Sequence, residues 1–337
     1  MKRFFWQSDR LTRSIISCST GLFLCLLALP CWAQHGSAEL PFDVFNEAID
    51  SGQIYDHLEK NAILQKQLQA PEAANILYQQ LQDSKTYSEI SFNSLASQQL
   101  SDSNDLYSHM VKSCLYLGQF YDCGHCDRSH MSTSCGVVID ESGLALTNHH
   151  VLSLRQQGTT EGFMAMTYDG QCFEVEEVLA ADKVADIALV KLKAKGHKFH
   201  AAPIAKTRPL PTTEVRLVSH PSSEFFVMTK GEVSRYSRTS FGKSNQRTQQ
   251  TWMEITAAFG GGSSGCGVFN SSGEVVGIAS RIRPLSRSNT KTTSNGKVVT
   301  LPRYPEMILR RCVNLSAIKA CFQPHQRTPA SADESRK

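Results

Sequence analysis

Three short segments of the chain hold residue types that do chemistry together: Leu146-Thr-Asn-His-His-Val151, Ala185-Asp-Ile-Ala-Leu-Val190 and Gly260-Gly-Gly-Ser-Ser-Gly-Cys-Gly267. Each alone has an ordinary explanation. A histidine pair closing a strand is commonly structural or metal-binding, an Asp before an apolar run is a turn residue, and a Gly/Ser stretch is a loop. Taken together they supply the parts of a nucleophilic site. A serine hydroxyl is a weak nucleophile and needs a base that titrates near working pH, which histidine provides. The imidazolium formed during attack needs a buried carboxylate to fix its tautomer and offset its charge. The oxyanion then needs preorganised backbone N–H donors, and glycines let the main chain turn them inward.

A second group, Cys123-Gly-His-Cys126 with His130, permits three chemistries. A CGHC dithiol is redox-active when it opens a helix in a thioredoxin fold, but no βαβ texture surrounds this one. Cys123, Cys126 and His130, with His125 nearby, form a set that can hold zinc. The reading preferred from sequence is structural disulfides. Beyond residue 33 the chain has eight cysteines (114, 123, 126, 135, 172, 266, 312 and 321), an even number that allows 105 connectivities.

The elements that must position these residues change in texture near residue 112. From Phe42 to about Leu100 apolar residues recur at helical spacing (Val44, Phe45, Ala48, Ile49; Leu77, Tyr78, Leu81), which predicts two to four short helices. Pro71-Glu72 reads as a helix start and Ser101–Asp105 as a break. Beyond residue 112 short β-type runs alternate with Gly, Asp, Ser and Asn turns: Cys135–Ile139, Leu144–Leu146, Ile187–Leu192, Val215–Val218 and Val275–Ile278. This pattern predicts a sandwich or barrels. Ser237–Gln250 and Ser286–Lys297 read as polar surface loops, Met307 onward as a last strand, and Leu315–Ala320 as a closing helix.

Length and composition set the frame. The chain has 337 residues, 41% hydrophobic and 20% charged, which excludes a disordered or collagen-like protein. Lys2, Arg3, Arg10 and Arg13 precede the apolar run Gly21–Leu29 and Cys31-Trp-Ala33, the pattern of a secretory signal over 1–33. Without that segment 31 cationic residues face 30 anionic ones, which is no footprint for nucleic acid. The expected organisation is a signal peptide (1–33), a helical pro-segment or collar (34–111), a β domain (112–322) and a disordered tail (323–337).

The motifs resemble those of trypsin-like serine proteases of the chymotrypsin-fold superfamily, and most of all the bacterial HtrA/Deg-type branch, whose motifs read T-N-x-H-V, D-[IL]-A-[LV] and G-N-S-G-G. Here they appear as Thr147–Val151, Asp186–Leu189 and Gly262–Cys266. The resemblance covers about residues 112–322. It implies a mainly β fold of two antiparallel six-stranded β-barrels, with the helical N-terminal region and C-terminal helix as additions. It implies an exported, periplasmic or secreted, serine endopeptidase acting on polypeptides through an acyl-enzyme, with no cofactor, no nucleic-acid partner and no membrane association once the signal is removed.

Carried over position by position, His150, which directly precedes Val151, is the base and His149 a structural neighbour. Asp186 is the orienting carboxylate, ahead of Asp182, and Ser264 is the nucleophile, with Ser263 one place out of register. The N–H groups of Gly262 and Ser264 form the oxyanion hole. Ser280 lies on the strand lining the cleft, Ala258 at the pocket floor and Ile282 on its wall, so small to medium apolar residues are expected before the scissile bond. Arg281 and Arg283 flank the cleft and would favour acidic residues at outer subsites.

Three departures stand out. Cys266 replaces a Gly, Ser263 replaces an Asp or Asn, and no PDZ-like stretch follows residue 322. Cys135 lacks the partner cysteine seen after the histidine in animal trypsins, because Val151 stands there. The alternatives are a catalytically silent peptide-binding pseudoprotease and a thiol–disulfide oxidoreductase using Cys123 and Cys126.

Overall fold

The computed structural model describes Leu40 and residues 42–68, 72–83, 103–126, 128–153, 159–241, 248–286, 290–300 and 305–322. The expected signal peptide and C-terminal tail lie outside these residues. The chain is mainly β. Helices α1 (Ser51–Leu68), α2 (Ala73–Asp83) and α3 (Ser103–Ser113) lead into β1 (Cys114–Asp122), β2 (Ser129–Met131), β3 (Ser134–Asp140) and β4 (Leu144–Thr147). The short helix α4 (His149–Ser153), β5 (Thr159–Met166), β6 (Cys172–Asp182) and β7 (Ile187–Leu192) complete a first sheet. It runs β2-β1-β3-β4-β7-β6-β5, and β1 pairs also with β5, so the six main strands return on themselves.

The second sheet contains β8 (Glu214–Ser219), β9 (Val227–Phe241), β10 (Thr248–Ile255), β11 (Gly267–Phe269) and β12 (Val275–Leu285). After the small hairpin β13 (Thr290–Thr292) and β14 (Val298–Thr300), β15 (Met307–Asn314) joins it and α5 (Leu315–Ala320) follows. These strands close as an antiparallel barrel in the order β10-β15-β12-β11-β8-β9. The expected fold class is therefore found.

Alternation explains the first barrel. On β1, Leu115 and Leu117 join one buried cluster with Val138, Ala145, Phe163 and Val190, together with Leu77 and Leu81 of α2. The other face, with Cys114, Tyr116 and Phe120, packs with Ile54 and Leu58 of α1, Met110 of α3, and Val218 and Phe269 of the second barrel. Both faces of a strand with a period of two are thus buried, and the helices cover what would otherwise be a large wet apolar surface. The second barrel has its own core of Val215, Leu217, Val233, Met253, Ile255, Val268 and Cys312.

α2 begins at Ala73, directly after the expected Pro71-Glu72 start. α5 begins where expected because the Asn314 side chain accepts hydrogen bonds from Ser316 N (2.9 Å) and Ala317 N (3.2 Å). Two readings are corrected. The stretch Ser237–Gln250 is largely strand, the outer ends of β9 and β10 paired from Ser237↔Trp252 to Phe241↔Thr248. Ser286–Lys297 likewise contains β13. The outer residues of β9 and β10 and the Thr-Lys-Thr of β13 are largely polar by sequence and so lack the apolar alternation by which sequence reveals a strand. Ser101–Asp105 also does more than break the chain, since α3 starts within it at Ser103.

Candidate active site

β4 ends at Thr147 and the chain turns directly into α4, which places His150 one turn beyond the strand. Its partner, Asp186, sits in the turn between β6 and β7 with a left-handed backbone (φ 59°). An Asp tolerates that conformation better than most residues, but it carries a cost that surrounding contacts must hold. Asn148 does so by donating from Nδ2 to the Asp186 carbonyl at 2.8 Å.

The Asp186 side chain is 1% exposed and accepts from every side. His150 Nδ1 lies 3.0 Å from Oδ1 and 2.9 Å from Oδ2, and the His150 backbone N–H reaches Oδ1 at 3.1 Å. Ser280 Oγ donates to Oδ2 at 2.5 Å, and Arg281 Nε to the same oxygen at 3.3 Å. Burial alone would raise the Asp186 pKa. The hydrogen bond and charge of His150, the Ser280 hydroxyl and the Arg281 charge outweigh it, and hold the carboxyl below its ordinary value of 3.8. An ionised carboxylate only accepts, so Nδ1 carries the imidazole proton and Nε2 presents its lone pair.

Ser264 lies in the turn before β11. Its Oγ donates to the Ser280 carbonyl at 3.3 Å, and among the described residues it makes no hydrogen bond to His150. Neighbouring Ser263 is fully buried and faces inward, donating to Ser219 Oγ at 3.0 Å. Two peptide groups flank Ser264. The Gly261 carbonyl accepts Ser222 N–H at 2.7 Å, and the Ser263 carbonyl accepts Cys266 N–H at 3.2 Å. In a trans peptide the N–H points opposite to the C=O, so the N–H groups of Gly262 and Ser264 are turned away from these partners. Among the described residues, neither donates to a protein acceptor.

Glycine is required at two positions in this turn. Gly262 has φ +91°, and a Cβ there would lie 2.4 Å from the His220 carbonyl oxygen. Gly265 has φ +93°, and its Cβ would lie 2.0 Å from the Cys135 carbonyl oxygen and 2.4 Å from Thr147 Oγ1. Cys135 also donates its N–H to the Ser264 carbonyl at 2.7 Å, and Thr147 Oγ1 donates to the Cys135 carbonyl at 2.8 Å. The Ser264 turn of the second barrel is thereby bonded to β3 of the first, and Thr147 of β4 holds the same Cys135 by its carbonyl.

The remaining sequence candidates fall as follows. His149 is buried beside the cluster, and that burial lowers its pKa. Asp182 shapes the turn, accepting Val184 N at 2.7 Å and Ala185 N at 2.9 Å. Ser280 is buried on β12. Ala258 and Ile282 are both exposed. Arg281 places its Nε on Asp186 while its side chain stays exposed, with its guanidinium carbon 5.5 Å from the Trp252 ring centroid. Sequence reasoning also missed Asn148 and Thr147 as supports, although both lie inside the histidine motif.

The described cysteines are all free thiols, so the expected disulfides are not formed in this structure. Burial pushes the Cys135 and Cys266 thiols up. Cys266 thus fills the usual glycine position as a neutral packing group. Cys123, Cys126 and His130 come together, with their ligand atoms within 4.8 Å of one another.

Paired β-barrels with a histidine–carboxylate couple and a glycine-framed serine turn define the class of chymotrypsin-like serine hydrolases. Residues 134–278 match the family model described as a Trypsin-like peptidase domain. The chain is similar to Serine protease HTRA1 of Xenopus laevis, 32% identical over 148 residues, covering 44% of this chain and 31% of the relative. Putative serine protease HhoA of Synechocystis is 30% identical over 149 residues (44% and 36%), and Serine endoprotease DegS of Escherichia coli 27% over 168 (50% and 44%). Residues 134–278 are thus similar to a trypsin-like peptidase domain and the chain to HtrA-type serine proteases, and it spans less than half the length of these relatives.

Proposed function

We propose that the protein is an exported serine endopeptidase that cleaves polypeptides through an acyl-enzyme on Ser264. The observation that carries this reading is the buried Asp186 carboxylate holding His150 by Nδ1, which leaves Nε2 as a base. Ser264 Oγ turns about its Cα–Cβ bond from the Ser280 carbonyl to His150 Nε2. It gives up its proton there as it attacks the substrate carbonyl. The new imidazolium is offset by Asp186, and the oxyanion is received by the N–H groups of Gly262 and Ser264. His150 then protonates the leaving amine, and water repeats the sequence to release the acid. No step requires a cofactor.

Residues 112–322 form the protease domain in this reading, and 34–111 act as a collar. The collar is favoured over a removable pro-segment because Ile54, Leu58 and Met110 share a buried cluster with the barrel strands. Export rests on the residue pattern of 1–33; among the described residues no helix is long and apolar enough to cross a membrane. The primary pocket lies between Ala258 and Ile282 and takes small to medium apolar side chains, since neither residue offers a charge. A fluorophosphonate probe tests the proposal. It should label Ser264, with labelling abolished in Ser264→Ala and kept in Ser263→Ala. A chain that is not labelled at all would be a silent peptide-binding scaffold.

A further inference from the structure

Away from the barrel seam, the β1–β2 hairpin gathers three soft donors. β1 and β2 pair in the register Phe120↔Met131, Tyr121↔His130 and Asp122↔Ser129. Cys123 therefore leaves the end of β1, while His130 projects from β2 beside it. Cys126 Sγ lies 3.6 Å from Cys123 Sγ and 3.1 Å from His130 Nε2. All three ligand atoms lie within 4.8 Å of one another.

We propose that Cys123, Cys126 and His130 bind a thiophilic metal ion, Zn(II), on this hairpin. The separations approach those a metal imposes. Bonds of about 2.3 Å to sulfur and 2.0–2.1 Å to nitrogen at tetrahedral angles give roughly 3.8 Å between sulfurs and 3.6 Å from sulfur to nitrogen. The Cys123–Cys126 separation of 3.6 Å lies about 0.2 Å from that geometry and the Cys126–His130 separation of 3.1 Å about 0.5 Å inside it, while all three donors stay within 4.8 Å of one another. Two thiolates and a neutral imidazole cancel the charge of a divalent ion. With no oxygen in the set, they disfavour Mg(II) and Ca(II).

The hairpin also holds the donors still. His130 stacks on Tyr121, with ring centroids 5.5 Å apart and planes 29° apart. Arg128 makes a two-pronged bond to Glu59 of α1, at 3.0 and 2.8 Å, which ties this loop to the collar. The Cys123 sulfur accepts the His125 backbone N–H at 3.4 Å, a contact suited to a thiolate ligand. Cys126 is exposed, so an ion can enter from solvent and water can fill a fourth position. This binding is independent of the catalytic reading.

The test uses the full chain, reduced and metal-free, titrated with Zn(II) alone and then with Co(II). One equivalent of zinc should bind, and the cobalt form should show the intense visible bands of tetrahedral thiolate ligation. Cys126→Ser and His130→Asn should each weaken zinc binding by tenfold or more. Cys172→Ser, outside the cluster, should bind as the parent does. No stoichiometric binding by the reduced chain would overturn the site. So would undiminished binding by His130→Asn, or a Cys123–Cys126 disulfide in the purified chain that forms again in the presence of zinc. The cobalt spectrum of the parent stands even if a variant fails to fold.

Discussion

Asp186→Asn isolates the charge and polarity of one group while keeping its shape. Four donors converge on the carboxylate: His150 Nδ1, His150 N, Ser280 Oγ and Arg281 Nε. An amide nitrogen at the Oδ1 position would face the fixed His150 backbone N–H. At Oδ2 it would face the Arg281 N–H and the Ser280 hydroxyl, of which only the hydroxyl can rotate away. Either placement leaves a buried donor without an acceptor, at about 1–3 kcal/mol. That is less than the about 5–15 kcal/mol stability of an ordinary domain, so the variant should remain folded. If the amide donates to Nδ1, the imidazole proton moves to Nε2 and the base is lost. Turnover should fall about 10⁴-fold, or about 5.5 kcal/mol of barrier at 1.36 kcal/mol per decade. Ser280→Ala removes one hydrogen bond to the same charge, worth about 1.5–3 kcal/mol, and should cost on the order of ten- to a hundredfold. The assay is casein cleavage normalised by active-site titration, with thermal melts alongside. A folded Asp186→Asn within tenfold of the parent, or one less impaired than Ser280→Ala, would refute this account of the site.

Gly265→Ala should abolish activity, because its Cβ meets the Cys135 carbonyl at 2.0 Å; Gly262→Ala should lower turnover more than it lowers the melting temperature, which calorimetry beside kinetics will show. Glu254→Gln removes a buried acceptor of Arg235 (2.5 Å), Ser237 (2.7 Å) and Arg311 (3.1 Å), and should cost about 1–3 kcal/mol at neutral pH. Burial would raise the Glu254 pKa, but these partners hold it below 4.5, so its contribution is present above that value and is lost as pH falls through the lower folded pKa. The melting-temperature gap between parent and Glu254→Gln should therefore narrow in acid and persist at neutral pH. Cleavage of a denatured proteome should place Val, Ala, Leu or Ile before the cut; a predominance of Arg, Lys or Glu would overturn the pocket assignment.

The core strands and the His150–Asp186 pairing were legible because their constraints are local. Ile187–Val190 is an uninterrupted apolar run, and a base needs its carboxylate whatever the loops do. The contact of Arg281 with Asp186 was not legible because neighbouring strand residues point to opposite faces only while the pairing is regular. The register of β12 against β15 shifts between Ala279 and Arg281, and that bulge swings the guanidinium toward Asp186. Cys266 was equally opaque from its sequence position. Its neutral packing role follows from complete burial, to which Cys135 of the other barrel contributes as a packing neighbour. The ribbon β9–β10 went unseen because its outer pairs are largely polar by sequence.

The bond from Cys135 N to the Ser264 carbonyl has a kinetic consequence. The main chain of the Ser264 turn takes its shape from a strand more than a hundred residues earlier in the chain. Neither half of the protein can therefore finish that turn by itself. During refolding each barrel can gain its secondary structure separately, but the proposed peptidase activity must await their docking. Regain of activity should accordingly trail the far-ultraviolet signal. In the proposed enzyme the seam acts as a coincidence detector, silent in any partly assembled or nicked state in which the halves have come apart.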